Sequence, residues 1–220
     1  MATIYTLHPE TPQTRTVGKI RDQLRQGAVM LYPTDTVYAI GCDLTVRSAV
    51  EQVRQIKRMS SDKPLTFLCS SLSNIATYAH VSDAGYRLIK RLIPGPYTFL
   101  LPATKLVPRL VMDPKRKTTG IRVPDHAICQ ALLRALENPL VSTSASTVFG
   151  QSGARVSKPE LFDQLDKLVD IIIDDDSTVG FQVSTMLDLT GEEPILLRKG
   201  LGFEAVSGLV AEAESEQSMV

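Results

Sequence analysis

Short clusters of hydroxyl side chains are the residues of this sequence best suited to chemistry. Thr34 and Thr36 flank Asp35 in LYPTDTVYAIGCD, a second cluster fills residues 142–147, and a third begins at Ser184. Each cluster follows an apolar segment, and ligands of open α/β sheets bind beyond the carboxyl ends of the strands. Small hydroxyls with exposed loop amides suit phosphate and carboxylate oxygens. A single cluster is more typical of a turn, but three in one chain favour a shared anion pocket.

Basic side chains in two predicted strands would supply the other half of such a pocket. Arg122 lies between aliphatic residues in TTGIRVP, and Arg198 is placed in the same way in ILLRKG. A charged side chain in an apolar strand needs a partner or an opening to a cleft. Together with the hydroxyl clusters, these arginines indicate a site for an anionic ligand such as a nucleotide.

Other charged clusters carry weaker signals. Lys57 and Arg58 end a predicted helix, where positive charge also simply offsets the negative helix C-terminus. Residues 115–117 are all basic and are interpreted either as solvated loop charge or as contacts to a phosphate backbone. The acidic run 174–176 is typical of a hydrated turn, the three histidines show no ligand spacing, and no metal site is predicted. The glycine-rich phosphate loops of common nucleotide-binding folds do not occur.

Alternating helices and strands are predicted to position these residues. Helical periodicity marks the stretches TVGKIRDQLRQ, SAVEQVRQIKRM, DAGYRLIKRLI, HAICQALLRAL and KPELFDQLDKLVD. Strands are predicted in AVMLY, LTFLC, YTFLLPA, TTGIRVPD and DIIIDD, and VSTMLDLT with PILLRKG suggests a late hairpin. PLVSTSAS is predicted as a strand that enters a polar loop, with the hydroxyl cluster in the loop. The pattern predicts an α/β fold with a largely covered, mixed sheet.

Composition narrows the class of protein. The 220 residues carry 24 basic and 24 acidic side chains, so no global charge favours nucleic acid. The N-terminus has no apolar signal-peptide core, and no apolar run approaches the roughly 18 residues of a membrane span. Three isolated cysteines at positions 42, 69 and 129 predict buried free thiols rather than disulfides. We therefore expect a cytoplasmic protein without a membrane partner.

Several motifs in a fixed order resemble the YrdC/YciO family. They are YPTDTVYAIGCD, a helix ending in Lys57 before KPL, PGPYTFLLPA, TTGIRVPDH, LVSTSAS, and VSTMLDLT followed by ILLRKG. The resemblance spans about residues 10–203, which implies a single YrdC-like domain followed by an acidic, flexible tail at 204–220. It implies an α/β fold with a twisted mixed β-sheet flanked by helices and a large concave, positively charged cleft.

The resemblance also implies an activity. The best understood members make L-threonylcarbamoyl-AMP from L-threonine, bicarbonate and ATP, and they release pyrophosphate. The product serves the N6-threonylcarbamoyl modification of adenosine 37 in tRNA. Double-stranded RNA binding is also associated with the family. The implied cofactor is a Mg²⁺ that bridges the nucleotide phosphates.

Site residues follow from the same resemblance. Contacts to the threonine substrate are implied for Thr34, Arg122, Ser142 and Ser184. Contacts to ATP or AMP are implied for Lys57, Arg58, Ser144, Ser146 and Arg198. Arg122 would hold the threonine carboxylate, and Lys57 would be the catalytic cation facing the phosphates. Fixed cations and hydroxyls suit this chemistry, because carbamate formation and adenylyl transfer both develop charge on oxygens.

Two positions depart from the synthase branch of the family. Its signature reads KGRPxxNPL, but here Met59 stands where Arg belongs and Arg58 sits one place early. A shift of one residue turns a helical side chain by about 100°, so Arg58 is not an equivalent replacement. The S-x-N signature ends in Ser146, which lacks an amide donor. Both changes resemble the YciO branch and predict weak synthase activity.

Two hypotheses of different classes therefore stand. The first is an enzyme that forms or handles L-threonylcarbamoyl-AMP. The second is a non-catalytic protein that binds double-stranded RNA or nucleotide. Release of pyrophosphate in the presence of ATP, threonine and bicarbonate discriminates between them.

Overall fold

The computed structural model describes residues 1–60, 63–145 and 156–212. These residues form a sheet of 11 strands and six α-helices. The helices are α1 (Thr14–Arg25), α2 (Arg47–Ile56), α3 (Leu72–Tyr78), α4 (Asp83–Leu92), α5 (Ala127–Leu136) and α6 (Lys158–Leu165). The strands are β1 (Thr3–Thr6), β2 (Met30–Tyr32), β3 (Ala39–Asp43), β4 (Thr66–Leu68), β5 (Tyr97–Pro102), β6 (Thr118–Arg122), β7 (Leu140–Ser144), β8 (Ile171–Asp174), β9 (Thr185–Asp188), β10 (Ile195–Arg198) and β11 (Ala211–Glu212).

The sheet is mixed. Its strand order is β1-β8-β2-β3-β7-β4-β6-β5-β9-β10-β11. Parallel pairs such as β4–β6 and β5–β9 alternate with antiparallel pairs such as β3–β7 and β5–β6. The predicted late hairpin is confirmed, because β9 and β10 pair antiparallel. The α/β fold with a mixed sheet flanked by helices is confirmed as well.

Side chains alternate between the two faces of the sheet, as β-strands require. One face packs against α2, α3, α4 and α6, which contribute Val53, Ile75, Ile89 and Leu165 to the larger core. Its strand residues include Ile40, Phe67, Phe99, Ile121, Val141 and Leu187. The other face is covered by α1 and α5 at its β1-β8-β2-β3 end, around Met30, Tyr32, Ala39, Leu140 and Ile171.

The two helices on that second face have apolar residues at helical spacing. In α1 the buried residues are Val17, Ile20 and Leu24. In α5 they include Ile128 and Leu132, and the two helices pack against each other. An apolar stripe at intervals of three and four residues must be buried. The stripes therefore fix both helices on one end of the sheet, and no helix of the described ranges covers the other end of this face.

Strands lie on both sides of the segment that was predicted as the domain. β1 pairs with β8 before residue 10, and β11 pairs with β10 after residue 203. Residues 213–220 of the predicted tail lie outside the described residues, and its flexibility stays a prediction. The three cysteines are free and buried, as predicted. Within the described part of the chain, no helix has the length and apolarity needed to cross a membrane.

Candidate functional site

A cavity of about 500 Å³ lies over the uncovered half of the second sheet face. Its floor consists of alternate residues from six neighbouring strands, in the sheet order β3, β7, β4, β6, β5 and β9. The residues next to them in sequence point into the larger core on the other side of the sheet. These floor residues are Ala39, Thr66, Leu68, Thr98, Arg122, Ser142, Ser144 and Met186. The strand alternation thus aims mostly polar side chains at the cavity, while aliphatic and aromatic side chains fill the core behind.

Ser142 is oriented by a buried tyrosine. The Tyr32 hydroxyl donates to Ser142 Oγ at 2.8 Å. Burial raises the pKa of Tyr32, so its hydroxyl stays protonated and acts as the donor of this pair. Because Ser142 accepts from Tyr32, its own proton is available for an acceptor in the cavity.

Thr34 forms the hydrogen bonds that hold the PTDT turn together. The Thr34 hydroxyl donates to the carbonyl of Val37 at 2.7 Å, and its oxygen accepts from the backbone amides of Thr36 and Val37. Thr36 Oγ1 lies 3.0 Å from the same oxygen. The single proton of Thr34 is therefore already used, so the hydroxyl predicted to contact threonine acts first as the internal bond of a turn. Both threonines still line the cavity.

Arg122 is buried and tied to the same loop. Its Nη2 donates to Asp35 Oδ1 at 2.5 Å, its Nη1 to Thr36 Oγ1 at 2.9 Å and its Nε to the carbonyl of Gly95 at 3.4 Å. Asp35 also accepts from the backbone amide of Asp125, just before α5. A guanidinium has five N–H groups, so two of them remain for a ligand. Asp35 is therefore the charged partner that the sequence analysis expected for Arg122.

Arg198 reaches the cavity from the opposite wall. Its Nε donates to the carbonyl of Ser184 at 3.0 Å, and its Nη2 donates to Ser184 Oγ at 3.0 Å. Ser184 Oγ lies 2.8 Å from Thr98 Oγ1. Desolvation and the nearby charge of Arg122 both lower the pKa of Arg198. The two arginines therefore lie in one positive region, with Arg198 at its exposed side.

Lys57 and Lys63 supply two further cations. Both line the cavity, and Lys57 Nζ donates to the carbonyl of Ser144 at 2.6 Å. Burial, and next the charge of Lys63, lower the pKa of Lys57 to about 8. Met59 lines the same wall. The position of the missing signature arginine thus faces the cavity without a charge.

A single buried side chain, Arg54 of α2, anchors the backbone of this wall. Its Nη1 donates to the carbonyls of Lys63 at 2.9 Å and Leu110 at 2.8 Å, and its Nη2 donates to the carbonyl of Ser60. The guanidinium therefore joins the end of α2 to the segment before β4 and to the segment before β6. The backbone of the wall is held while the side chain of Lys63 stays exposed.

The structure brings together most of the residues that the resemblance implied. The cavity is lined by Thr34, Lys57, Arg122, Ser142, Ser144, Ser184 and Arg198. Arg58 is the exception among the described candidates: it is exposed, has a φ of 48° and is not part of the lining. Ser146 lies outside the described residues. The roles of these residues in binding or catalysis stay predictions.

Two expectations about local structure were wrong. Residues 142–144 lie within β7, where they pair with β3 and Ser142 also pairs with β4, so this part of the cluster belongs to the sheet and not to a loop beyond it. Asp175 is buried rather than part of a hydrated turn. It accepts from the hydroxyls of Tyr38 and Ser177, and His126 lies 3.5 Å away. These partners outweigh its burial and lower the pKa of Asp175.

Sequence reasoning missed several residues of the site. They include Asp35 as the partner of Arg122, Lys63 at the rim, and Thr66 and Thr98 in the floor. A signal for the floor was present in LTFLC, YTFLLP and TTGIRVP, where small residues alternate with large apolar ones. Such alternation in a central strand indicates a sheet face that no helix covers.

Fold and site together define an α/β protein with a cationic, hydroxyl-lined cleft on one sheet face. The family comparison agrees with that description. Residues 22–200 match the Sua5/YciO/YrdC family, which carries the description "Telomere recombination", and the chain belongs to this family.

Relatives on two branches of the family share this chain's length. The uncharacterized protein YciO of Escherichia coli is 39% identical over 202 residues, which cover 92% of this chain and 97% of YciO. Its crystal structure matches with a TM-score of 0.87 over 96% of this chain and 100% of YciO, at 38% identity. The threonylcarbamoyl-AMP synthase of Vibrio vulnificus is 32% identical over 180 residues, or 80% of this chain and 94% of the synthase.

A longer relative has been solved with a ligand. The structure of P. abyssi Sua5 complexed with L-threonine matches with a TM-score of 0.84 and 26% identity. The match covers 96% of this chain but 63% of that protein. The chain is therefore related to threonylcarbamoyl-AMP synthases and similar in length and structure to YciO.

Proposed function

We propose that the cleft binds an adenine nucleotide together with L-threonine, and that the protein forms or handles L-threonylcarbamoyl-AMP for tRNA modification. One observation carries the proposal. Among the described lining residues, four are cationic (Lys57, Lys63, Arg122 and Arg198) and none has a carboxylate. A cavity of about 500 Å³ is also of the size that holds small ligands.

The reaction places the residues in distinct roles. The threonine amine adds to bicarbonate to give a carbamate and water, and a carbamate oxygen then attacks the α-phosphorus of ATP while pyrophosphate leaves. Lys57, Lys63 and Arg198 would offset the charge on the phosphate oxygens. The two remaining N–H groups of Arg122 would bind the threonine carboxylate. Asp35 would orient Arg122 for this contact.

Magnesium would enter this site with the nucleotide. No cluster of metal-ligating side chains occurs in the described ranges, and the described lining offers hydroxyls and cations. Mg²⁺ typically keeps several waters and takes its other ligands from substrate phosphates. The lining fits that mode of binding, in which the ion neutralises phosphate charge without a protein cage.

Pyrophosphate release tests the proposal. The purified protein is incubated with ATP, Mg²⁺ and bicarbonate, with and without L-threonine. We expect slow, threonine-dependent release, because Met59 contributes no charge to the cavity. Met59→Arg should raise the rate, since one donor placed at developing charge is commonly worth roughly 10²–10³. Absence of both threonine-dependent release and calorimetric binding of ATP and threonine would contradict the proposal.

A second candidate function has a specific observation in its favour. Residues 84–122 contain nine lysines and arginines and a single aspartate, in a chain whose net charge is +0. The trio Lys115, Arg116 and Lys117 is exposed, although Arg116 pairs with Asp188. Such a stretch suits a phosphate backbone, and binding to it must weaken steeply with salt. Double-stranded RNA that binds at low salt independently of ATP and threonine would favour this alternative.

A further inference from the structure

Arg54 differs from the cations of the cleft, because it is buried and does not line the cavity. Its guanidinium binds the backbone of the wall that carries Lys57 and Lys63, and its partners among the described residues are main-chain carbonyls. A buried charge is costly unless hydrogen bonds satisfy it, and an aliphatic side chain would fill the same space without that cost. The benefit of an arginine at this position therefore lies in the backbone that it holds.

The chain leaves α2 in an unfavourable backbone conformation. Arg58 has a φ of 48°, in the left-handed region that residues with a side chain disfavour. The amide of Met59 donates to the carbonyl of Arg54 at 3.0 Å, and the amide of Lys63 donates to the carbonyl of Ser60 at 3.2 Å. Such a conformation persists where surrounding contacts hold it. The Arg54 side chain supplies these contacts, because it binds the carbonyls of both Ser60 and Lys63.

The same guanidinium ties the wall to the larger core. It donates to the carbonyl of Leu110 at 2.8 Å. Next to it, the carbonyl of Val111 accepts from the amide of Leu65 at 2.9 Å, and Val111 is fully buried in that core. The wall is thus fixed to a part of the molecule that is closely packed.

The two lysines of this wall repel each other. Both line the cavity, and the charge of Lys63, after burial, is the second cause that lowers the pKa of Lys57 to about 8. Like charges move apart where the backbone allows it, because their repulsion falls with distance. The hydrogen bond from Arg54 to the carbonyl of Lys63 opposes this movement. The wall therefore presents two ammonium groups close together before a ligand arrives.

We propose that Arg54 is a positioning residue, which holds Lys63 beside Lys57 as a preformed site for the phosphates of the nucleotide. Arg54 acts through the backbone and does not touch the ligand. The inference rests on the nucleotide part of the proposed function. A polyphosphate gains from two cations that are already in place, since fewer side chains must be ordered when it binds. The threonine carboxylate, assigned to Arg122, gains nothing from Arg54.

Two substitutions at Arg54 test the proposal. Arg54→Met removes the hydrogen bonds and keeps a long side chain, and Arg54→Lys keeps the charge without the planar fork of donors. Titration calorimetry measures the Kd of ATP with Mg²⁺ and, separately, of L-threonine. We expect the ATP Kd to rise about tenfold in Arg54→Met, the effect of one lost charge-assisted contact, and about two- to fivefold in Arg54→Lys. The threonine Kd should change by less than about twofold in both.

The pH profile of ATP binding separates positioning from stability. In the wild type, affinity falls as the pH rises through about 8, where Lys57 loses its proton. If Lys63 moves away, the pKa of Lys57 rises and the fall in affinity shifts to higher pH. Arg54→Lys keeps the positive charge, so a shift in that variant reports movement of Lys63 and not a lost charge. A residue that only stabilised the fold would leave this midpoint unchanged.

A matched control separates the wall from general damage. Arg25 also donates to a main-chain carbonyl, that of Leu136 at 3.1 Å, but it lies in α1 on the covered half of the sheet face. Arg25→Met should leave both affinities and the pH midpoint unchanged. If Arg54→Met folds poorly, Arg54→Lys tests the proposal through its ATP Kd and its pH midpoint.

Three outcomes would overturn the inference. Wild-type ATP affinity and pH midpoint in the Arg54 variants would show that the wall keeps its place without Arg54. Equal losses for ATP and threonine would make Arg54 a support of the whole cleft rather than of the two lysines. A wild-type protein that does not bind ATP would overturn the nucleotide part of the proposed function and this inference with it, whereas the first two outcomes leave the proposed function intact.

Discussion

The two halves of one sheet face differ in the side chains that their strands present. In the covered half, Met30, Tyr32 and Ile171 are large and apolar, and α1 and α5 bury them. In the open half, Thr66 and Ser142 occupy equivalent alternate positions, and no described helix covers them. The backbone pairing is continuous across both halves. Side-chain size and polarity alone therefore decide which half becomes core and which becomes cleft.

The physical reason is the cost of burying hydroxyls. A helix packed over the open half would remove the threonine and serine hydroxyls from water, and each unpaired group costs about 1–3 kcal/mol. The gain in apolar contact would be small, because these side chains carry few carbons. The open half is more stable when it faces water or a ligand that replaces the lost hydrogen bonds.

The largest expected effect comes from a charge buried in the open half. Arg122→Ala leaves Asp35 without its partner, and breaking a buried ion pair on one side costs about 3–5 kcal/mol. Urea denaturation should show this loss in the free energy of unfolding. Arg198→Ala is the matched control, because Arg198 is exposed, and it should cost less than about 1 kcal/mol. Similar losses in the two variants would mean that both arginines act mainly as ligand-binding groups.

A second pair of substitutions compares the two halves directly. Leu132 of α5 is fully buried in the covered half, and Leu132→Ala should cost about 2–5 kcal/mol through the cavity that it creates. Met186 lines the cleft, and Met186→Ala should cost less than about 1 kcal/mol. Thermal and urea unfolding measure both values. Equal costs would contradict the division of this face into core and cleft.

The segment after β8, at the covered end of the sheet, should respond to acid. Asp175 has a lowered pKa in the folded protein, because the nearby His126 and the hydrogen bonds from Ser177 and Tyr38 outweigh its burial. Its stabilising contribution is therefore present above the unfolded pKa near 4 and is lost as the pH falls further. Asp175→Asn should cost about 1–3 kcal/mol at pH 7 and flatten the fall of stability in acid. An unchanged acid profile would remove Asp175 from this role.

Binding at the open half should depend on alkaline pH. The pKa of Lys57 is lowered to about 8, so the ammonium loses its proton as the pH rises through that value. ATP affinity should then fall by about tenfold between pH 7 and pH 9. Lys57→Met should bind ATP about tenfold more weakly at pH 7 and show little further pH dependence. Lys199→Met is the control, because Lys199 lies over the ring of Phe203, and it should keep the wild-type pH profile.

The smallest expected effect concerns the basic trio outside the cleft. Replacing Lys115, Arg116 and Lys117 by glutamine should leave the ATP and threonine affinities unchanged, because none of the three lines the cavity. If RNA binds there, the triple variant should lower the slope of log K against log salt by up to about 3. Fluorescence anisotropy with a short RNA duplex measures that slope. An unchanged slope would count against RNA binding by the trio.

Sequence patterns predicted the elements well because each depends on local information. Buried Val17, Ile20 and Leu24 recur at helical spacing, and the predicted α5 and β8 agree with the observed ones apart from residues at their ends. Motif order predicted the family and seven of the residues that line the cavity. Patterns could not predict that Asp35 neutralises Arg122, because 87 residues separate them in the chain. The open floor was missed although LTFLC, YTFLLP and TTGIRVP carry a signal for it, in small residues that alternate with large apolar ones.

Arg54 supports the cavity wall that carries Lys57 and Lys63, and this support affects how the side chains of the cleft can change in evolution. Within the described residues, the hydrogen-bond partners of Arg54 are main-chain carbonyls, those of Ser60, Lys63 and Leu110. The path of the wall is therefore independent of which side chains these three positions carry. Charges can be gained or lost there by single substitutions without rebuilding the backbone. A cleft with this kind of support can acquire a new ligand preference at its rim while its architecture stays the same.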